Sequence, residues 1–207
     1  MLFSADFDRR NNRGVKMKEL TVAELQTAVK SLKAGERVLL SGTVYTARDA
    51  AHKRIFELLD AGAELPFELP GALIYYTGPT PAHDGKPVGS CGPTTSMRMD
   101  KFTPRLLSLG LVGIIGKGER GEAVCEALIK NNAVYFCAIG GAGALMASHV
   151  VSAEEIAFKE LGCESVKRLV VEKLPLMVGI DCCGGNIFKD EKPKYADYIK
   201  GSHHENK

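Results

Sequence analysis

The sequence predicts one α/β domain built on a mixed central sheet. Three observations lead there. The chain has 207 residues, which suits a single domain. Strand-like and helix-like patterns alternate through its middle, which favours parallel pairing. Two strand patterns near the end, 166–172 and 176–180, lie close together with Pro175 between them, which makes the sheet mixed.

The elements follow in order. Residues 1–19 are expected to be a flexible arm: up to residue 16 they are polar and aperiodic, with Arg9, Arg10, Arg13 and Lys16, and Met17 is a candidate natural start. Thr21 and Glu24 form a T-x-x-E capping box, opening a helix that Gly35 closes. Residues 38–44 read as a strand. Thr46 and Asp49 read as a second capping box, for a helix running to Asp60. Residues 72–76 are a short apolar strand, and a Gly/Pro-rich loop covers 77–93. A helix over 96–109, a strand over 111–115, a helix over 121–130 and a strand over 134–139 follow. Gly-rich turns occupy 140–143. Ser152 and Glu155 are read as capping a helix that ends near Gly162, before the two last strands. The domain is expected to span 20–188, with a charged tail over 189–207.

Composition narrows the function classes. The chain is 45% hydrophobic and 25% charged, enough for a real core. Lys plus Arg number 27 against 25 Asp plus Glu, which argues against a dedicated nucleic-acid binder. The longest apolar run falls short of the ~20 residues of a membrane span. The N-terminal residues lack the apolar stretch of a secretory signal, so a cytoplasmic location is expected. The six cysteines, Cys91, Cys125, Cys137, Cys163, Cys182 and Cys183, form no C-x-x-C pair and no zinc-type spacing. No metal ligand is expected on this chain.

Three stretches carry candidate chemistry. In T-A-R-D-A-A-H-K-R, residues 46–54, Arg48 and His52 are four apart on a helix face shared with Ile55 and Leu59. That puts Arg48 at a helix N-terminus, where free N–H groups favour anions. In S-C-G-P-T-T-S-M-R-M-D, residues 90–100, Thr94, Thr95 and Ser96 are N-cap candidates with hydroxyls to offer an anion, and Arg98 follows in the first turn. In G-K-G-E-R-G, residues 116–121, Lys117 stands between glycines where a strand ends and a helix begins. The G-x-G-x-x-G spacing of a dinucleotide loop fails at 141–146, because position 146 is Met, and close packing explains those glycines better. Three cations, several hydroxyls, no carboxylate dyad and no Ser/His/Asp triad suit the clamping of a small dianion.

These stretches resemble the β subunit of the two-subunit iron–sulfur hydro-lyases, class I fumarate hydratase and L(+)-tartrate dehydratase. The matching strings are S-G-T-V-Y-T-A-R-D-A-A-H-K-R, Y-T-G-P-T-P-A, G-S-C-G-P-T-T-S-M-R-M-D and V-G-I-I-G-K-G, within residues 20–188. The resemblance implies a swivelling β/β/α-type domain. It implies a partner α subunit whose 4Fe–4S cluster acts as Lewis acid on the substrate, and an α2β2-type assembly. It gives Arg48, Thr94, Thr95, Ser96, Arg98 and Lys117 substrate-carboxylate contacts and makes Thr94 a candidate base, with His52 and Asp49 in support. A threonine hydroxyl is a poor base unless its pKa is strongly depressed, so orientation is the competing role. Reversible hydration of fumarate to S-malate is the expected reaction. L(+)-tartrate dehydration and a non-catalytic dicarboxylate-binding module are the alternatives.

Overall fold

The computed structural model describes residues 17–83, 85–138 and 141–190. Among them run the strands β1 (Lys18–Thr21), β2 (Arg37–Thr46), β3 (Leu73–Tyr75), β4 (Gly113–Gly116), β5 (Val134–Cys137), β6 (Val150–Ala157) and β7 (Val166–Ile180). The helices are α1 (Val22–Ala28), α2 (Asp49–Asp60), α3 (Thr103–Ser108), α4 (Glu122–Lys130), α5 (Gly143–Ser148) and α6 (Ile187–Asp190). Strands β1 to β5 pair in parallel, each with the next. The long β7 runs antiparallel to β2, β5 and β6. Because β7 joins β2 to β5, the five strands β2, β3, β4, β5 and β7 close into a ring, and the sheet is mixed as the sequence predicts.

Strand alternation divides the core in two. Leu73 and Tyr75 of β3 join Val38, Leu40, Val134, Phe136 and Leu174 in one buried cluster. Ile74 and the following Tyr76 point the other way, into a second cluster under the helices with Ile55, Phe102, Leu106 and Leu128. Helices α2, α3 and α4 pack on this second cluster, whereas Leu25 of α1 and Met146 of α5 belong to the first.

Several local expectations hold. The Thr21–Glu24 capping box is complete, with Glu24 N–H donating to Thr21 Oγ1 and Thr21 N–H to Glu24 Oε2. The helix ending at Asp60 and the loop after β3 are where the sequence puts them. Others are corrected. Lys18 and Glu19, assigned to the arm, begin β1 against Val38 and Leu39. The helix expected after Ser152 is instead β6, followed by a 3-10 segment, Lys159–Glu164. There Glu155 is turned to Ser165 and Lys167, and Glu154 to Arg168, so cross-strand partners outweigh the local S-x-x-E signal. The two strands expected at the end are one strand, β7, with Pro175 inside it. Val178 N–H donates to Glu36 O on the β2 side, so by alternation the Pro175 nitrogen faces the opposite edge. That edge is unpaired between Val171, the last partner of β6, and Met177, the first of β5, and costs no ladder bond.

The single helix expected over 96–109 is a 3-10 turn, Ser96–Met99, then α3 with Pro104 in its first turn. Proline is tolerated there and not within a helix, which separates the two. The glycines at 141–143 open a short helix, α5, that the sequence reading leaves as turn. A Cβ on Gly143 would lie 2.3 Å from Ser90 Oγ, so close packing does explain that glycine. The expected arm up to residue 16, residues 139–140 and the tail from 191 lie outside the described residues.

Candidate functional site

The site is built at the C-terminal ends of parallel strands, where an α/β sheet presents its loops. Strand β2 leads into Arg48, β3 into Thr77 and Gly78, and β4 into Lys117. The segment from Pro93 to Met99 is stitched across these ends. Thr77 bridges to Pro93 and Thr95 to Lys117. Thr94 N–H donates to Tyr76 O at 2.6 Å, and Ser96 N–H to Lys117 O at 2.9 Å. The three sequence stretches therefore meet.

Each cation is held differently. Arg48 is the N-cap of α2 in extended backbone and makes no side-chain cap bond. Its Nη2 lies 3.2 Å from Glu164 Oε1, and the other Glu164 oxygen accepts Ala50 N–H at 3.1 Å. A carboxylate thus already takes the pose that an arginine beside a helix N-terminus favours. Gly78 allows Arg48 to lie flat, since a Cβ there would stand 3.0 Å from Arg48 Nη1 and 2.9 Å from Cys163 O. Arg98 grips Asp49: Nε donates to Oδ1 at 3.2 Å, and Nη2 stands 2.7 Å from Oδ2, off the line of a hydrogen bond. Asp49 therefore ties Arg98 to the residue beside Arg48. Lys117 is half-buried, and its ammonium has no ion-pair partner among the described residues.

The hydroxyls divide. Thr94 is half-buried and Thr95 exposed, and neither makes a side-chain cap. Ser96 departs from the expected contact role. It is fully buried, and its Oγ accepts Lys117 N–H at 3.1 Å and lies 3.0 Å from Tyr135 Oη. Tyr135 Oη also lies 2.9 Å from Gly118 O. A carbonyl only accepts, so the phenol proton goes to Gly118 and the serine proton to the phenol. Ser96 braces the lysine loop from beneath. A Cβ on Gly116 would lie 1.9 Å from Ser96 Oγ, so only glycine fits there.

His52 and Thr46 are also resolved. His52 is fully buried, edge-on to Tyr76 and stacked on Phe102. Its Nδ1 lies 2.8 Å from Arg48 O, so Nδ1 carries the proton. Nε2 is left a buried acceptor with no partner among the described residues. Burial pushes its pKa down to about 4. The neutral ring supports the Arg48 backbone. The expected Thr46–Asp49 capping box does not form: Thr46 is buried in the sheet, donating to Ser165 O and accepting Lys167 N–H.

Sequence reasoning passes over four residues of the site's frame. Glu164 is over a hundred positions from Arg48, and no local pattern joins them. Tyr135 reads as an ordinary strand residue. Asp100 and Arg120 sit inside the singled-out stretches but form an ion pair, Nε to Oδ1 at 2.8 Å, with Arg120 buried and Asp100 half-buried. Cys91 stands beside the site with its thiol fully buried and its pKa pushed up to about 11 by that burial, which suits an inert side chain. Two guanidinium forks, an ammonium, a helix N-terminus and the Thr94 hydroxyl can hold a small molecule with an anionic group at each end. No group of three His, Cys, Asp or Glu among the described residues is gathered as a metal site requires.

A family model described as Fumarase C-terminus matches residues 3–191. The chain is 38% identical over 155 residues to the anaerobic class I fumarate hydratase of Escherichia coli, a match covering 74% of this chain and 28% of that protein. It is 39% identical to the mitochondrial fumarate hydratase 1 of Leishmania major, again over 74% of this chain and 28% of the relative. The chain thus spans little more than a quarter of the fumarate hydratases it matches. Against the L(+)-tartrate dehydratase subunit beta of Escherichia coli it is 33% identical, covering 82% of this chain and 85% of that subunit.

Proposed function

The chain belongs to the Fumarase C-terminus family, and on that premise we propose that it is the β subunit of a two-subunit class I fumarate hydratase. It provides the carboxylate-binding side of the active site. Its partner is an α subunit that carries a 4Fe–4S cluster, which supplies Lewis-acid chemistry, in an α2β2-type assembly in a reducing cytoplasm. The reaction is reversible hydration of fumarate to S-malate. No described helix is long and apolar enough to cross a membrane.

One observation carries the reading: Arg48 and Lys117 follow the ends of β2 and β4, and the turn that carries Arg98 is joined by backbone bonds to Tyr76 after β3 and to Lys117. Arg98, oriented by Asp49, offers a fork that matches a carboxylate in two bonds. Arg48 offers the same beside the N–H groups of α2, and a substrate carboxylate there takes the place of Glu164. Lys117 supplies a point charge that strengthens its hold as negative charge grows on the substrate carboxylate during proton removal. Thr94, fixed through its N–H to Tyr76 O, orients the substrate or relays the proton. Thr95 contributes a further hydroxyl at the rim.

Tartrate dehydration is the second reading, favoured by the near-complete coverage of a tartrate dehydratase β subunit. Mixing the chain with its anaerobically reconstituted α partner and assaying fumarate and L(+)-tartrate loss separately decides between them. Loss of fumarate at the higher kcat/KM supports the proposal. Preference for tartrate overturns it in favour of the second reading, and no turnover of either with retained dicarboxylate binding favours a binding module. Thr94→Val separates the threonine roles: binding kept with turnover abolished marks a chemical role, and near-wild-type turnover removes Thr94 from the mechanism.

A further inference from the structure

We infer that the pair of the buried Arg120 and the half-buried Asp100 is a positioning device that sets the spacing between Arg98 and Lys117, and so the length of dicarboxylate the site accepts. The inference rests on the carboxylate-binding role proposed for those two cations. Asp100 directly follows the 3-10 turn that carries Arg98, and Arg120 ends the loop that carries Lys117. One carboxylate joins the two. Asp100 Oδ1 accepts Arg120 Nε at 2.8 Å, and Oδ2 accepts the N–H of Gly121, the N-cap of α4, at 2.6 Å. Arg120 Nη2 donates to Thr103 Oγ1 at 2.8 Å, which fixes the start of α3 as well.

The Arg120 side chain is wholly buried, and its guanidinium lies over the rings of Tyr76 and Tyr135, 5.5 and 5.0 Å from their centroids. Burial works against its charge, but Tyr76, Asp100 and Tyr135 more than offset this, and its pKa is raised. Such a pair is weak evidence for stability, since apolar side chains of similar volume often replace one without loss. What an apolar pair cannot do is fix direction. Here the directions are specific: one fork and one carboxylate lock two loops and the starts of two helices in a single register. Gly121 has the same implication, because a Cβ there would lie 2.9 Å from Asp100 Oδ2.

The test uses the reconstituted two-subunit complex carrying Asp100→Asn with Arg120→Met. Dissociation constants for succinate and glutarate are measured by calorimetry, alongside KM, kcat and thermal melting. A purely structural role moves the melting temperature and leaves the succinate-to-glutarate preference alone. The positioning role predicts that the preference shrinks at least about threefold and KM for fumarate rises about tenfold, with kcat within about threefold of wild type. An unchanged preference overturns the inference. If the double variant does not fold, Arg120→Lys, which keeps the charge but not the fork, is expected to shrink the preference equally, and its failure to do so overturns the inference too. A wild-type complex that binds neither dicarboxylate overturns the underlying functional proposal instead.

Discussion

His52 makes the stability of this fold depend on pH in a way that can be worked out in advance. The ring is fully buried, and its pKa falls from 6.5 to about 4 because burial disfavours the charged form. In the unfolded chain it returns to 6.5, so between the two values the unfolded state binds more protons. Stability therefore rises with pH across that window. The contribution is fully present above about pH 6.5, is lost as pH falls, and is exhausted below about 4. A shift of that size corresponds to about 3 kcal/mol, most of it gone by about pH 4.5. The assay is urea unfolding at pH 7.5 and 4.5 for wild type and His52→Phe. Phenylalanine keeps the ring against Phe102 and Tyr76 but cannot titrate. It forfeits the bond to Arg48 O, which costs about 1 kcal/mol at both pH values. Glu24 and Glu155, whose pKa values are lowered by hydrogen bonds to Thr21 and Ser165, also lose stabilisation in acid, in both proteins alike. The acid loss is thus expected to be larger in wild type by about 2–3 kcal/mol. Equal losses would refute the placement of a neutral His52 beneath Arg48.

Two glycine positions give further predictions. Gly116→Ala drives a Cβ to within 1.9 Å of Ser96 Oγ and must part the Lys117 loop from its brace. Overpacking of this kind costs about 1–3 kcal/mol, measurable by chemical denaturation, and unchanged stability would contradict the brace. Gly78→Ala meets Arg48 Nη1 and the Cys163 carbonyl instead. It is expected to raise KM for the dicarboxylate with a smaller effect on kcat, read from saturation kinetics of the two-subunit complex.

The residues themselves explain how much of this was legible in the sequence. Helical periodicity and the T-x-x-E box placed the start of α1 and the end of α2, because those signals are local; α1 itself ends at Ala28 and passes into a 3-10 turn, well short of the expected stop at Gly35. Arg48, Arg98 and Lys117 were legible as candidates because each stands in or beside a short boundary segment, where a charged side chain has a reason to be. Strand β6 was not, because its S-x-x-E pattern imitates a helix cap and only pairing with β7 overrides it. The unity of β7 was hidden because the harmlessness of Pro175 depends on a gap between two other strands. Ser96 looked like a cap and is a buried brace, a distinction made by Gly116 and Tyr135 from other strands. Arg120 is counted by composition as a surface charge, and its burial follows from two tyrosines and an aspartate that the chain brings to it.

The proposed function depends most on Arg48, Arg98 and Lys117, and Lys117 gives the cleanest test. Its ammonium has no ion-pair partner among the described residues, so its removal spares the frame. The measurement is kcat/KM for fumarate hydration by the reconstituted two-subunit complex with Lys117→Met. The predicted result is a fall of roughly 10²–10³-fold at unchanged melting temperature, the loss typical of a charge aimed at developing negative charge. A value within about threefold of wild type would contradict the claim that this chain supplies the carboxylate-binding side of the site.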